Sequence, residues 1–472
     1  MSTLQKLGLI LGIAGFLLPF LIRFDDLSFP GHLALSIFLL AAFFWMLEPI
    51  PIHATSLLVI LLGVGLLSGA GPVFGGMDPE LVFGMHGGFR PGSAAAYVGT
   101  LANPIIILFL GGFMLADAAV KFDFDRNVTR VLMKPFGTRP KWILLGLMTV
   151  TGLLSAFMSN TATTAMMMTV ILPFMSTMPS GDRFKVALAL SIPFAANIGG
   201  MATPIGSPPN AIVVAASARA GHAISFGEWM SMALPLVIVA MLATWWLLYR
   251  MHRPTVTDIR LRQDTTWNRS RKAKLFYGVF GATLLLWVTE SWHGVSSNYV
   301  ALVPITFLSV FSVMEPSDLR KLPWEVLWLV AGGIALGIYM EQTRLSDWMV
   351  GLIDWSAFSG VVILGMFAFI GLLISNFMSN TVAATLLMPL AITIGLSQGD
   401  AGIANPTLLA LMIGLGTSFA MVLPISTPPN AIAMATGVVK TSDMARSGLA
   451  VGLIGIVLLI TFSVFFWNDI IH

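Results

Sequence analysis

The chain has 472 residues, 57% of them hydrophobic and 10% charged, where a soluble domain carries about 25% charged residues; a water-soluble globular protein is excluded. No cysteine occurs, which excludes a disulfide framework and a thiolate metal site. The net charge of +3 does not point to nucleic acid, because most of the positive residues gather in two short stretches between apolar runs.

Met1–Ile22 carries one lysine and a long apolar run, with no small-residue cleavage motif before Arg23, Asp25 and Asp26, and reads as a retained first transmembrane helix. Leu33–Met46, Leu57–Leu67, Ile105–Leu115, Leu234–Leu248 and Gly448–Trp467 continue the pattern. Their lengths are those of helices rather than of short alternating barrel strands. The expected class is an all-α polytopic membrane protein.

The positive stretches are Lys121–Lys141, with Arg126, Arg130, Lys134 and Arg139, and Arg250–Lys274, with Arg253, Arg260, Arg262, Arg269, Arg271 and Lys272. Both read as cytoplasmic by the positive-inside rule. A cytoplasmic N-terminus satisfies both if spans end near Val120 and Trp246. It leaves the loops poorer in Lys and Arg, 23–32 and the glycine-rich 71–100, outside, and the C-terminus outside as well. The chain then divides into a first helix (1–30), a first repeat (31–249), a basic linker (250–274) and a second repeat (275–472).

Between these spans lie segments too short to cross a bilayer. Lys141–Phe157 and Thr161–Phe174 flank "SNT" at 159–161, and Phe358–Phe377 and Thr381–Leu396 flank "SNT" at 379–381. They read as two re-entrant hairpins. A later helix in each half is broken by "TPIGSPPNAI" (Thr203–Ile212) and "PISTPPNAI" (Pro424–Ile432), since consecutive prolines remove backbone donors and clash with the preceding turn.

Ser159-Asn160-Thr161 and Pro208-Pro209-Asn210 both recur 220 residues later, at Ser379-Asn380-Thr381 and Pro428-Pro429-Asn430. "GGFMLA" at Gly111 beside "GGIALG" at Gly332, and "WMLEPIP" at Trp45 beside "WVTESWH" at Trp287, extend the match. Two motifs at one offset indicate an internal repeat. An odd number of spans per repeat makes it inverted, as in many secondary transporters. Ser-Asn-Thr alone is an ordinary helix cap and Pro-Pro an ordinary kink; four such elements in register imply paired helix ends facing one central site, because non-helical backbone at that depth has to line a cavity.

Helix N-termini at the tips suit an anion, and no Lys or Arg lies within the four breaks. Ser155 precedes Ser159 by four residues and Ser375 precedes Ser379 by four, so each shares a helix face with its tip. Hydroxyl, carboxamide and freed carbonyl oxygens there suit a small hard cation.

With these motifs and "EPIP" at Glu48–Pro51, the chain resembles the divalent anion/sodium symporters, solute carrier family 13 and its bacterial relatives, over nearly its whole length. The resemblance implies a homodimer of about eleven spans per protomer moving as an elevator. It implies sodium-coupled symport of a dicarboxylate or tricarboxylate in the cell membrane. Ser159, Asn160, Thr161, Ser379, Asn380 and Thr381 would bind the substrate carboxylates, with Ser207, Thr427 and Pro428 beside them. Ser155, Asn160 and the backbone near Gly206 would form one sodium site; Ser375, Asn380 and the backbone near Ser426 would form the other. A C4 dicarboxylate (succinate, malate, fumarate) leads. A sodium-independent dicarboxylate or citrate exchanger of the same fold is the rival, ahead of a sulfate transporter or a passive anion channel.

Other signals carry no chemistry. Asp123–Lys134 starts like a calcium loop, but Val128 and Lys134 stand where Gly and Glu are needed. The glycine pairs 63/65 and 414/416 read as close helix packing. Neither a metal-ligand spacing of histidines nor a hydrolase motif is present, so no enzyme is expected. Trp45, Trp142, Trp287 and Trp467 suit interfacial belts.

Overall fold

The computed structural model describes residues 2–467 and 470, except 23, 25, 87, 180, 259–265 and 399–403. Arg23 and Asp25 of the first loop, Arg260 and Arg262 of the basic linker, and the last two residues lie outside that set. Among the described residues, eight helices are long and apolar enough to cross a membrane. They are joined by shorter apolar helices, including Ile52–Leu67, Pro140–Ser155, Ser297–Val310, Gly360–Ser375 and Pro406–Ser418.

A helix–turn–helix pair stands at each expected hairpin, although the returning arm of the second is long and apolar enough to be counted among the eight. In the first, Pro140–Ser155 is followed by Asn160–Thr177, and in the second Gly360–Ser375 by Asn380–Gln398. The arms of the second begin 220 residues after those of the first, as does Pro428–Ala435 after Pro208–Arg219. An arm of 16 residues rises only about 24 Å, short of the ~30 Å hydrocarbon core. The first hairpin enters and leaves on one side: Trp245 donates its indole N–H to Lys141 O (2.9 Å) and Thr255 N–H donates to Asp182 (3.0 Å). Those partners flank the same end of the helix Phe226–Met251.

The broken helices follow: Phe184–Gly199 and Pro208–Arg219 in one half, Pro406–Ser418 and Pro428–Ala435 in the other. The halves cross-brace. Asn160–Thr177 packs on Pro428–Ala435, and Asn380–Gln398 packs on Pro208–Arg219. Glycines make this closeness possible; a Cβ on Gly414 would stand 2.2 Å from Val213. Of the paired glycines, 63, 414 and 416 face close neighbours, while Gly65 faces open space.

Three tryptophans depart from the interfacial role expected of them. Trp45, Trp287 and Trp467 are fully buried, donating their indole N–H groups to Ile52 O (3.2 Å), Ser297 O (3.0 Å) and Met232 O (3.0 Å). A buried N–H needs such a partner. Trp45 and Trp287 each close the turn into the next helix, so the match between the two segments has a shared structural cause. The linker is shorter than expected, because Ser270 caps the next helix by accepting from Ala273 N–H (3.2 Å), and Arg271–Val288 is helical.

Besides the contacts around the breaks, polar contacts also join helix ends of distant segments. At one end lie Lys121–Asp318 (2.5 Å), Arg183–Asp443 (2.9 Å) and Lys272–Glu315 (3.4 Å). At the other lie Tyr97–Gln342 (2.7 Å) and Phe226 N–H to Glu290 (3.1 Å). Each joins helix ends that alternation of the spans puts on one side.

Lys121 and the Glu315 N–H hold the Asp318 carboxyl below the usual carboxylate range. A carboxyl with a lowered pKa contributes stability above its unfolded value and loses it as pH falls through the lowered one. Asp318→Ala is therefore expected to cost about 1 kcal/mol at neutral pH, read as a drop in thermal midpoint of the purified protein. The gap from wild type should close as the pH is taken down through the carboxylate range.

Candidate functional site

The first tip lies where Pro140–Ser155 ends. Ser155, with no exposed surface, stands with its hydroxyl oxygen 2.6 Å from the Asn160 carboxamide. The same end of the Asn160 carboxamide stands 3.3 Å from Ala196 O and 3.1 Å from Gly206 O. With its nitrogen turned to these partners, Asn160 donates to all three and the cluster closes on itself. With its oxygen turned there, the carbonyls of Ala196 and Gly206 face a third acceptor, an arrangement that repels unless a cation lies between them. The nitrogen-inward orientation is the one that pairs every group of the cluster.

Close backbone approach makes the cluster possible. A Cβ on Gly200 would stand 2.5 Å from Asn160 Oδ1, and one on Gly206 2.5 Å from Gly200 O. The third residue of Pro-Pro-Asn holds the loop in place: Asn210 Nδ2 donates to Gly200 O (2.9 Å) and Thr203 O (2.8 Å). Thr203 donates to Ala156 O, tying the break to the hairpin.

The second tip repeats the central contact and varies its surroundings. Ser375, also fully buried, donates to Asn380 Oδ1 (2.6 Å) and lies 3.2 Å from Thr417 O. Asn430 Nδ2 donates to Leu423 O (3.0 Å), the counterpart of the Asn210 clamp. Ser426 is drawn to a residue the sequence did not single out: its hydroxyl donates to Asn376 O (3.1 Å) and lies 3.2 Å from Asn376 Oδ1. Asn376 also accepts from Val422 N–H (2.9 Å). Its counterpart in the first half is Ala156, so only the second break is held by a carboxamide from its hairpin. The mismatch at 156 and 376 was the one visible signal.

Ser159, Asn160, Ser379, Asn380 and Thr381 are half-buried and Thr161 is exposed, so the tips remain reachable. Ser379 accepts from Val382 N–H (3.2 Å), whereas Ser159 makes no such cap. Ser207 and Thr427 are buried, and Pro428 is exposed at the start of its half-helix. Thr427 links the halves. Its hydroxyl oxygen accepts from Asn197 Nδ2 (3.2 Å) and from Asn430 N–H (3.3 Å), which leaves its own proton to be donated elsewhere. Asn197 follows directly after Ala196 of the first cluster, a second contact that no motif marked.

Neither the tips nor the breaks carry a titratable side chain. Four helices begin there, at Asn160, Pro208, Asn380 and Pro428, each with a positive dipole end; the two that open with Pro-Pro have no N–H at their first two positions. Neutral oxygens for a cation and helix N-termini for an anion stand side by side.

A family model described as "Citrate transporter" matches residues 42–416 and 292–472. The sodium-dependent dicarboxylate transporter SdcS of Staphylococcus saprophyticus is 32% identical over 497 residues, covering 97% of this chain and 90% of the relative. A Staphylococcus aureus protein of the same name is 32% identical over 499 residues, with the same coverage. Among solved structures, the YdaH transporter of Alcanivorax borkumensis aligns with a TM-score of 0.54 at 13% identity, covering 88% of this chain and 98% of its own. MtrF of Neisseria gonorrhoeae, described as one of a class of antimetabolite efflux pumps, aligns with a TM-score of 0.55 at 11% identity, covering 98% and 97%. These two show a shared membrane-transporter fold. With full-length similarity to the SdcS proteins and hairpin tips of the kind that the sequence resembled, the chain belongs to the divalent anion/sodium symporter family, as a transporter and not an enzyme.

Proposed function

We propose that the protein carries a C4 dicarboxylate such as succinate, malate or fumarate across the cell membrane together with sodium ions, by alternating access. The observation that carries this reading is the paired contact at the two tips, Ser155 to Asn160 and Ser375 to Asn380, each 2.6 Å and each beside a helix N-terminus. The names of the relatives, sodium-dependent dicarboxylate transporters, agree with it.

Sodium would sit among Ser155, Asn160 and the carbonyls of Ala196 and Gly206, and a second ion among Ser375, Asn380 and backbone held by Ser426. An ion at the first site draws Asn160 Oδ1 inward and turns its nitrogen toward the cavity, where it can donate to a carboxylate. Cation and anion thereby share one side chain. Without an ion the nitrogen is spent on Ser155, Ala196 and Gly206, and the carboxylate loses a donor. Ser159, Thr161, Ser379, Thr381, Ser207, Thr427 and Pro428 complete the anion's surroundings, with the Thr427 proton free to donate. Bringing two carboxylates to mid-membrane beside no Arg or Lys leaves desolvation uncompensated unless cations accompany them.

Two inverted repeats, a cytoplasmic N-terminus, an outside C-terminus and a homodimer working as an elevator complete the reading. The spacing of the hairpins and the same-side polar contacts support the inversion; the two basic stretches support the orientation.

Uptake of labelled succinate into liposomes should require an inward sodium gradient. Equal uptake when choline replaces sodium would make the protein an exchanger instead. Asn160→Ala and Asn380→Ala should each abolish that uptake while the purified protein keeps its elution volume. Gly200→Ala, whose methyl group meets Asn160, should raise the sodium concentration for half-maximal uptake about tenfold. In this cysteine-free chain, Lys141→Cys should react with an impermeant maleimide only from the cytoplasmic face and Ser359→Cys only from outside; labelling of both from one face would overturn the inverted arrangement.

A further inference from the structure

Beside the first tip, a groove of about 350 Å³ runs between the hairpin arm Pro140–Ser155 and the helix Phe226–Met251. Its walls are apolar, among them Leu145, Leu153, Phe157, Leu234, Ile238 and Met241. Leu153, Leu234 and Ile238 are exposed, so lipid is the medium that meets them. At its inner end lie Ala156 and Thr203, the pair that ties the hairpin to the first break. From Leu145 to Phe157 the groove follows twelve residues, a rise of about 18 Å, close to the depth of one bilayer leaflet.

The open end, at the base of the hairpin, carries a basic and aromatic cluster. Trp142 and Trp245 stack at 6.0 Å with an interplanar angle of 18°. The Lys141 ammonium lies 5.1 and 5.3 Å from their ring centres. Arg250 lies 5.2 Å over the Trp246 ring. Among the described residues neither cation is paired with a carboxylate. Two unpaired cations among interfacial tryptophans, at the mouth of a groove one leaflet deep, match an anionic headgroup above an acyl chain.

We propose that this groove is a binding site for one anionic phospholipid of the leaflet at the hairpin base, its phosphate on Lys141 and Arg250 and one chain laid against Leu145–Phe157. The chain would lie against the hairpin where Ala156 and Thr203 join, and so steady the first oxygen cluster. The inference needs only the membrane setting, not the sodium or dicarboxylate reading.

The test is native mass spectrometry of the purified full-length protein, exchanged into an equimolar mixture of phosphatidylglycerol and phosphatidylcholine with the same acyl chains. Wild type should retain phosphatidylglycerol over phosphatidylcholine by on the order of tenfold. Lys141→Gln with Arg250→Gln, both at the membrane surface, should bring that ratio near one with no change in elution volume. Leu145→Trp, which fills the groove, should lower retention of both lipids, and Ile238→Trp provides a second filled variant should the first elute as aggregate. Equal retention of the two lipids by wild type would overturn the site, as would an unchanged ratio in the double glutamine variant. A filled groove that alters the oligomeric mass while leaving lipid retention intact would assign the groove to a second copy of the chain and overturn it too.

Discussion

Backbone groups that leave a helix inside a bilayer have no water to pair with, and each one left over costs several kcal/mol. This chain interrupts helices at four places, and at the two Pro-Pro breaks side chains take up the freed carbonyls. Asn210 takes the carbonyls of Gly200 and Thr203, Asn430 takes that of Leu423, and Trp229 takes that of Met201 at 3.0 Å. Three further carbonyls, those of Ala196, Gly206 and Thr417, face the Ser-Asn pairs of the tips. The need to satisfy a broken backbone thus gathers oxygen atoms around each Ser-Asn pair.

The two halves solve the same problem with different residues. The first break relies on closeness, with Gly200 and Gly206 leaving no room for a Cβ. At the matching positions the second half carries Ala420 and Ser426, and it recruits Asn376 to hold the loop. A site closed by steric fit tolerates little change at its glycines. One closed by a carboxamide and a hydroxyl depends on hydrogen-bond partners instead. The two clusters are therefore related by descent of their scaffold and distinct in their chemistry.

What joins them is a short list of contacts across the pseudo-symmetry. Each hairpin's returning arm lies on the other half's broken helix, and Asn197 reaches Thr427 at 3.2 Å. Because Asn197 is adjacent in sequence to Ala196, a shift of the helix end beside one cluster moves the group that sets the Thr427 hydroxyl in the opposite half. Nearer the helix ends, ion pairs such as Lys121–Asp318 and Arg183–Asp443 fasten those ends to one another.

The membrane class, the repeat and its offset, the hairpin tips and the Pro-Pro-Asn breaks could all be read from the amino-acid order, because each rests on local chemistry that a residue's type announces: an apolar run, a proline pair, a capping hydroxyl. Ser155, Asn160, Ser375 and Asn380 belonged to that legible set, and the structure brings each pair into contact. The buried roles of Trp45, Trp287 and Trp467 were not legible, since an indole that pairs its N–H with a neighbouring carbonyl has the same letter as one at an interface. Nor were the parts played by Ala196, Gly206 and Thr417, whose contribution is a carbonyl oxygen that every residue type possesses. Asn376 and Asn197 escaped for a related reason: their partners Ser426 and Thr427 lie 50 and 230 residues away, and only the packing of one half against the other decides which of many buried asparagines meets a functional loop.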